Sequence, residues 1–540
     1  MLMRHGTTCS SMPVCCDRCK SPHGMFFAGD TAQTIAIGSS FRFDDLKVYL
    51  YRIEEVDPMV KEGKRQAVHP AFFQLSVNYR SHGSIVNAAT SVVSLITKLF
   101  PRSIDALAPE RGMVDGPKPV FFTGWGEDVR YEQFLFGESN TPIEFGAEQV
   151  ILVRNETARD TLRAQIGSEI GLILTLYESK GLEFSDVLLY DFFADSPTPA
   201  ADWRVALTAL AESERRGIPA PRFDELRHAA IQSELKFLYV GLTRARKYIW
   251  LWDSSSTGDA MKVFWQSKSL IEICRKGDKM PMLAVQSTNT DWAKSGRLLF
   301  AKELYPQSIF CFEKADMPLE KAIAEAYLSR QQARRLLSHD SKGSAAFVST
   351  GSAFEGAAAL STKMPAQMKK LFLAAAECYI QAGRRARAAK AYYNAEEYTE
   401  AAIEYRKARL YDQAIHVVHN HRASINPTTA EDIISVVKLA YVKADQLAKA
   451  RHLFEDIDDY LEFLDEYGMD DARLAVLESL GRYDEVAELQ KQLGRDLSAI
   501  HLYLKSMHPL SRDRAAKSTL EALWSRFYLG TIPPKEDKAV

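Results

Sequence analysis

A 13-residue repeat in the second half of the chain restricts the folds that this half can adopt. Alanine recurs at this step in two registers, tyrosine recurs once, and a Gly-Arg pair recurs later. Thirteen residues make one short helix with its turn, so stacked pairs of units bury a core that one unit could not bury alone. The repeated positions are Ala382, Ala395 and Ala408; Ala388, Ala401 and Ala414; Tyr398 and Tyr411; and Gly481-Arg482 and Gly494-Arg495, which echo Gly383-Arg384.

This repeat predicts an all-α, TPR-like helical solenoid over residues 367–530, followed by a tail at 531–540. An irregular helical bundle remains the alternative. In a solenoid, the concave face would bind a protein partner. Tyr398 and Tyr411 would then serve either as anchors for that partner or as packing residues.

Two segments come before the repeat. Residues 276–336 predict helices with a partial TPR-like pattern. The Ser/Gly/Ala-rich segment 337–366 predicts a flexible linker.

Short apolar runs alternate with helical patterns in the first half of the chain. One helical pattern, at residues 85–100, is amphipathic and ends at Pro101. Alternating strands and helices predict a parallel sheet covered on both faces, which is an α/β lobe. A Pro/Ala/Glu-rich stretch at 195–221 predicts a surface insertion. The predicted strands are 120–123, 149–153, 171–175, 187–190 and 249–252.

Four short strings follow one another in a fixed order in this first half. Each would be weak evidence alone, because strings of this length recur by chance. Two of them directly follow further predicted strands, at 25–28 and 73–77, and parallel-sheet proteins place their functional side chains at such strand ends. The strings are Gly29-Asp30-Thr31-Ala32-Gln33-Thr34-Ile35, Asn78-Tyr79-Arg80-Ser81, Lys180-Gly181-Leu182-Glu183-Phe184 and Tyr239-Val240-Gly241-Leu242-Thr243-Arg244-Ala245-Arg246.

In this order the strings resemble motifs III, IV, V and VI of UvrD/Rep-type superfamily 1 helicases. The resemblance covers residues 25–255. It implies a RecA-like P-loop NTPase fold, with residues 1–65 as the end of the first lobe and 66–275 as the second, UvrD-like C-terminal lobe. Together with the repeat, it is most like the TPR and ankyrin repeat-containing branch. The implied activity is ATP hydrolysis at the lobe interface, coupled to 3′-to-5′ travel along single-stranded DNA or RNA.

The resemblance also implies roles at the nucleotide. Arg80 and Arg244 match the two arginines that stabilise charge on the γ-phosphate, a task that suits the fixed fork of a guanidinium. Gln33 matches the glutamine that senses this phosphate. Tyr79 matches the residue that stacks on adenine. For the sugar side of the nucleotide, the implied residues are Gly181 and Glu183, with Arg246 as a supporting partner of the arginines.

On the nucleic-acid side, Thr175 matches a residue that contacts a phosphate of the single strand. Tyr177 stands where many relatives have histidine, so its contact with the strand is less well supported by the resemblance. Stacking and backbone contacts are the general means of holding a single strand.

Two expected motifs are missing from the chain. Nowhere in the 540 residues does G-x-x-x-x-G-K-[ST] occur, and no Asp-Glu pair ends an apolar strand before Gly29. ATP and Mg²⁺ are therefore expected only in a complete two-lobe protein. The chain is either a portion of such a helicase or a non-catalytic solenoid scaffold with a relict helicase lobe.

Composition adds limits of its own. The net charge of −2 provides no global basic field, so nucleic-acid binding would need a local patch. Seven irregularly spaced cysteines and no long apolar run predict an intracellular protein with no membrane span. Between the two compartments, we favour the nucleus over the cytoplasm. Cys15, Cys16, Cys19 and His23 could form half a zinc site, but no second pair follows them, so we expect no metal.

Overall fold

The computed structural model describes residues 2–3, 26–35, 42–56, 61, 63, 71–106, 108–123, 145–167, 170–275, 278, 287–336 and 340–526. It divides into two compact units, Met1–Leu328 and Ser329–Val540. The cysteine cluster proposed as half a zinc site lies outside the described residues.

The first unit is built on parallel strands. Its strands are β1 (Leu2–Met3), β2 (Phe26–Phe27), β3 (Val77–Asn78), β4 (Arg111–Gly112), β5 (Val120–Thr123), β6 (Gln149–Val153), β7 (Leu172–Thr175), β8 (Phe184–Tyr190), β9 (Ala245–Trp252) and β10 (Glu272–Arg275). Six of them form one sheet in the order β10-β5-β9-β8-β6-β7, and every pair in it is parallel. The pairs β1-β2 and β3-β4 are separate two-stranded ribbons.

Helices accompany these strands in the order that the sequence pattern predicts. They are α1 (Phe43–Val56), α2 (Gly83–Leu99), α3 (Glu156–Ile166), α4 (Ala200–Trp203), α5 (Ala229–Leu242), α6 (Asp259–Ser267), α7 (Asn289–Ala301) and α8 (Tyr305–Lys314). Both faces of the sheet are covered, since alternate residues of β6 enter different apolar clusters. Val150 and Leu152 join the cluster that contains α2, α5 and α6 side chains, whereas Ile151 and Val153 join the cluster that contains Leu162 of α3. The predicted α/β lobe with a parallel sheet is confirmed.

One prediction within this lobe was wrong. Residues 195–221 are not a surface insertion, because Trp203, Val205 and Leu207 are fully buried in the cluster shared with α2 and α5. The Pro and Glu residues that suggested a surface position lie mainly in the loops of this stretch. The three buried side chains lie in α4 and in the short 3₁₀ helix Arg204–Ala209.

Helices continue to the end of the described chain. They are α9 (Pro318–Arg335), α10 (Asp340–Leu360), α11 (Pro365–Gln381), α12 (Arg385–Asn394), α13 (Tyr398–Lys407), α14 (Tyr411–Asn420), α15 (Pro427–Lys443), α16 (Leu447–Arg451), α17 (Ile457–Glu466), α18 (Asp470–Ser479), α19 (Tyr483–Gln492), α20 (Asp496–Lys505) and α21 (Ser511–Arg526). Helices α12 to α14 begin 13 residues apart, as do α17 to α20. The helical repeat is confirmed.

Residues in the left-handed region end the repeat helices. Gly383, Glu396 and Arg409 have φ values of 70°, 60° and 59°, and they too recur every 13 residues. A residue in this conformation after a helix turns the chain and lets its amide groups bond to the last carbonyls. The repeat therefore specifies the turns as well as the helices.

The segment 337–366 is not an unstructured linker over most of its length, because residues 340–360 form α10. Its small residues allow close packing against α11. A Cβ atom on Gly351 would lie only 2.6 Å from Cε1 of Tyr379. Richness in Ser, Gly and Ala predicts flexibility in an isolated segment, but here it permits two helices to approach.

Candidate functional site

Two of the four strings meet where a 3₁₀ turn, Thr31–Gln33, lies against α5. The side-chain amide oxygen of Gln33 accepts a hydrogen bond from Nη2 of Arg244 at 3.1 Å. The carboxylate of Asp30, which caps this turn, accepts one from the hydroxyl of Tyr239 at 2.9 Å. Residues more than 200 positions apart in sequence are thereby joined by buried or half-buried polar contacts.

Arg244 is the centre of this arrangement and is almost completely buried, with 2% of its surface exposed. Its guanidinium donates to the carbonyl oxygens of Val240 and Leu182, both at 3.0 Å, and to that of Ser179 at 3.4 Å. Burial, and then repulsion from Arg80, lower the pKa of Arg244 to about 10. The side chain stays charged at neutral pH and ties three of the four strings together.

Arg80 is held differently. Its guanidinium pairs with the carboxylate of Glu183 at 2.7 Å, and both side chains are partly exposed. The side-chain oxygen of Asn78 accepts from the backbone amides of Arg80 and Ser81 at 2.9 and 3.0 Å, which fixes the turn after β3. Arg80 can therefore leave Glu183 for another anion without loss of its backbone position.

Lys180 belongs to the same cluster, although we did not predict it as a site residue. Burial, and then the nearby Arg244, lower the pKa of Lys180, while Asp30 acts in the opposite direction. The next residue, Gly181, has a φ of 79°, a conformation that favours glycine. The signal for Lys180, Asp30 and Tyr239 was present in the sequence, because all three stand within the quoted strings.

The structure does not bring every predicted residue into this cluster. Tyr79 is 81% exposed at the surface next to Arg80. Arg246 pairs with Glu148 at 3.0 Å and donates to the hydroxyl of Ser185 at 3.1 Å, so its polar contacts lie outside the Arg244 cluster.

The two residues predicted to contact nucleic acid differ in accessibility. Thr175 is buried and engaged with Glu178, whose backbone amide donates to the threonine hydroxyl at 3.2 Å. Tyr177 is 45% exposed, with its ring edge-to-face on Phe237 and its hydroxyl donating to the carbonyl oxygen of Ile35 at 3.4 Å. Tyr177 therefore offers a partly open aromatic surface, and Thr175 offers little side-chain surface.

Cations and carboxylates meet in the cluster. Arg80, Lys180 and Arg244 come together with Asp30 and Glu183, and the carboxylate of Glu110 accepts a hydrogen bond from Asn78 at 3.2 Å. Such a surface suits an anion that can replace Glu183 as the partner of Arg80. In the part of the chain that the structure describes, no group of three or more His, Cys, Asp or Glu side chains could hold a metal ion. Over the same part, no helix is long and apolar enough to cross a membrane.

Residues 146–256, which contain the strings at 180–184 and 239–246, match the family model of the UvrD-like helicase C-terminal domain. This part of the chain is thus similar to the C-terminal lobe of UvrD-like helicases. The chain is also similar to the TPR and ankyrin repeat-containing protein 1 of Homo sapiens, with 32% identity over 333 residues. That alignment covers 57% of this chain and 11% of the relative, so the chain spans a small part of the relative's length. No solved structure matches the chain significantly.

Proposed function

We propose that this chain contains the second lobe of a UvrD-like, ATP-dependent motor that moves 3′-to-5′ along single-stranded DNA or RNA. ATP would bind beside Arg80, Lys180 and Arg244, and the missing phosphate loop would come from a complete first lobe. The observation that supports this proposal is that Arg244 joins three of the strings by hydrogen bonds and lies close enough to Arg80 of the remaining string for the two charges to repel.

In this proposal the two arginines have separate tasks. Arg80 releases Glu183 and moves to the γ-phosphate, where a guanidinium stabilises the charge of the transferred phosphoryl group. Arg244 keeps Gln33 in place, so that the state of the phosphate is coupled to the first-lobe turn. Tyr79 offers an exposed ring for the adenine, and Gly181 with Glu183 lies at the sugar.

Mg²⁺ would neutralise the phosphates when bound. Its expected carboxylate ligands belong to motifs that this sequence lacks, and no metal-holding group occurs among the described residues. No step through the metal is therefore assigned to this chain.

Single-strand binding by the full chain tests the nucleic-acid part of the proposal. We expect weak binding of a labelled oligothymidylate that declines steeply with salt. Tyr177→Ala should weaken it by roughly tenfold, because stacking on one aromatic ring contributes about 1–3 kcal/mol. Tyr248→Ala is the matched control, since Tyr248 is 47% exposed and stacks on Trp250 at another surface.

Equal losses for the two variants, or no binding at low salt, would argue against strand binding by this lobe. That outcome would favour the second candidate function, a solenoid scaffold that binds a protein partner. The stack of repeat helices supports this candidate, and the two functions are compatible in one longer protein.

A motor that moves along nucleic acid can work in the nucleus or in the cytoplasm. Of these two locations, we propose the nucleus.

A further inference from the structure

A shallow groove lies between α14 and α15 of the helical repeat. Its lining consists of five residues with apolar or aromatic side chains, which we call the floor, and two cations, which we call the rim. We call it the repeat groove. Its floor residues are Tyr411, Val436, Leu439, Ala440 and Ala444, and its rim residues are Arg409 and Lys443.

The floor exposes apolar surface that is held in place. Val436 is 38% exposed although it lies in the middle of α15. Tyr411 packs edge-to-face on Tyr441, with ring centroids 6.4 Å apart, and the hydroxyl of Tyr441 donates to the carboxylate of Asp412 at 2.6 Å. These contacts fix the aromatic wall, so an entering side chain meets a preformed surface.

The rim is positively charged, and its charges are uncompensated. Arg409 and Lys443 are exposed, and neither forms an ion pair with any residue that the structure describes. Arg406, one turn earlier, pairs with Asp432 at 2.6 Å. The two unpaired cations flank the apolar floor and complement carboxylates on a ligand.

Arg409 also occupies a costly backbone conformation. Its φ of 59° lies in the left-handed region, where Gly383 and Gly481 stand at the ends of other repeat helices. A residue with a Cβ atom costs roughly 1 kcal/mol there relative to glycine. The same conformation recurs at Glu396, so it belongs to the repeat turn, and glycine at position 409 would relieve its cost.

We propose that the repeat groove binds a peptide segment that presents an apolar side chain between carboxylates. The apolar side chain lies on Val436 and Leu439, against Tyr411, and the carboxylates pair with Arg409 and Lys443. This inference rests on the scaffold part of the proposed function and gives that scaffold a location and a ligand chemistry.

The test uses the full chain and a labelled peptide of about twelve residues, the size of a short docking motif. In this peptide two leucines stand between glutamates, and a second peptide has lysines in place of the glutamates. We expect the glutamate peptide to bind and the lysine peptide not to bind. Val436→Asp should weaken binding at least tenfold, and Lys443→Ala should weaken it threefold to fivefold at low salt.

Arg409→Gly separates binding from folding. This change removes the strain of the left-handed backbone conformation at position 409, so the variant should have a higher free energy of unfolding. It also removes a rim cation, so the variant should bind the glutamate peptide threefold to fivefold more weakly. Glu396→Gly is the matched control, because Glu396 has a φ of 60° but does not line the groove. It should gain similar stability and keep full affinity.

Equal binding of the glutamate and lysine peptides would overturn the proposal, as would an unchanged affinity of Arg409→Gly for the glutamate peptide. It would also be overturned if an oligonucleotide displaced the glutamate peptide from the Tyr177→Ala variant, in which strand binding at the lobe is weakened. The last would identify the groove as a phosphate-binding surface. Strand binding that depends on Tyr177 is measured separately, so failure of the groove leaves the motor proposal intact.

Discussion

At the scale of single residues, the two arginines of the cluster differ in what they can do without a ligand. Arg244 is buried and donates to backbone carbonyls of two strings and to Gln33. Arg80 is partly exposed and has one carboxylate partner, Glu183. One arginine therefore holds the site together, and the other is free to exchange its partner.

This difference predicts unequal effects on stability. Arg244→Ala leaves buried carbonyl oxygens and the Gln33 amide without their donor, and we expect a loss of roughly 2–4 kcal/mol in the free energy of unfolding. Arg80→Ala removes a partly exposed ion pair and should cost less than about 1 kcal/mol. Urea unfolding followed by tryptophan fluorescence measures both, since six of the seven tryptophans precede residue 293. Similar losses in the two variants would contradict the bracing role of Arg244.

A second residue-level prediction concerns Asp191, at the end of β8. Burial raises the pKa of Asp191 to about 7. A hydrogen bond from the Ser254 amide opposes this rise, and repulsion from the nearby carboxylates of Asp253 and Asp195 adds to it. Its unfolded value is about 3.9, so the native state binds more protons between these pH values. Stability should therefore fall as pH rises from 4 to 7, by about 2 kcal/mol given partial solvation.

Asp191→Asn should remove most of this slope, and urea midpoints at pH 5 and pH 8 measure it. Asp160→Asn is the control, because the side chain of Asp160 is 71% exposed. An unchanged slope in Asp191→Asn would show that other groups carry the pH dependence.

The sequence identified most of these residues but not their partners. Arg80, Arg244 and Gln33 could be predicted because they stand in ordered strings. The contacts Gln33–Arg244 and Asp30–Tyr239 could not, because they join residues more than 200 positions apart and depend on how the chain packs. Burial of Thr175 was also not predictable, since a strand-end hydroxyl is as often exposed as engaged.

At the scale of elements, periodicity was the reliable signal. The 13-residue step predicted the spacing of α12, α13 and α14, because each repeat must place its small residue against a neighbouring helix. Composition was less reliable. It assigned flexibility to residues 340–360 and a surface position to Trp203, since amino-acid content does not report which side chains find a partner.

The repeat predicts the effect of added bulk at one of its alanines. Ala401 is fully buried, as are Ala388 and Ala414 at the equivalent positions. Ala401→Trp should overpack this contact and cost roughly 1–3 kcal/mol. Glu400→Ala, at the exposed neighbouring position, should cost almost nothing. Hydrogen exchange of the full chain over residues 385–420 measures both, and equal protection would show that the alanine step is not a packing rule.

At the scale of the whole molecule, the chain combines a UvrD-like lobe with a helical repeat. The lobe brings three cations together, and the phosphate-loop motif is absent from all 540 residues. Phosphoryl transfer depends on a cradle for the β- and γ-phosphates and on Mg²⁺ as much as on arginines.

We therefore predict that the purified chain shows no release of phosphate from ATP above background, with or without single-stranded DNA. Without a phosphate loop, no bound phosphate would be oriented for the arginines to act on. The rates of phosphate release should therefore be the same for the wild type, Arg80→Ala and Arg244→Lys. Lysine at 244 keeps a cation in the buried position and is a gentler probe of catalysis than alanine there. Stimulated release that disappears in Arg80→Ala would mean that a complete site assembles from other residues of this chain. The first lobe would then not be needed for catalysis.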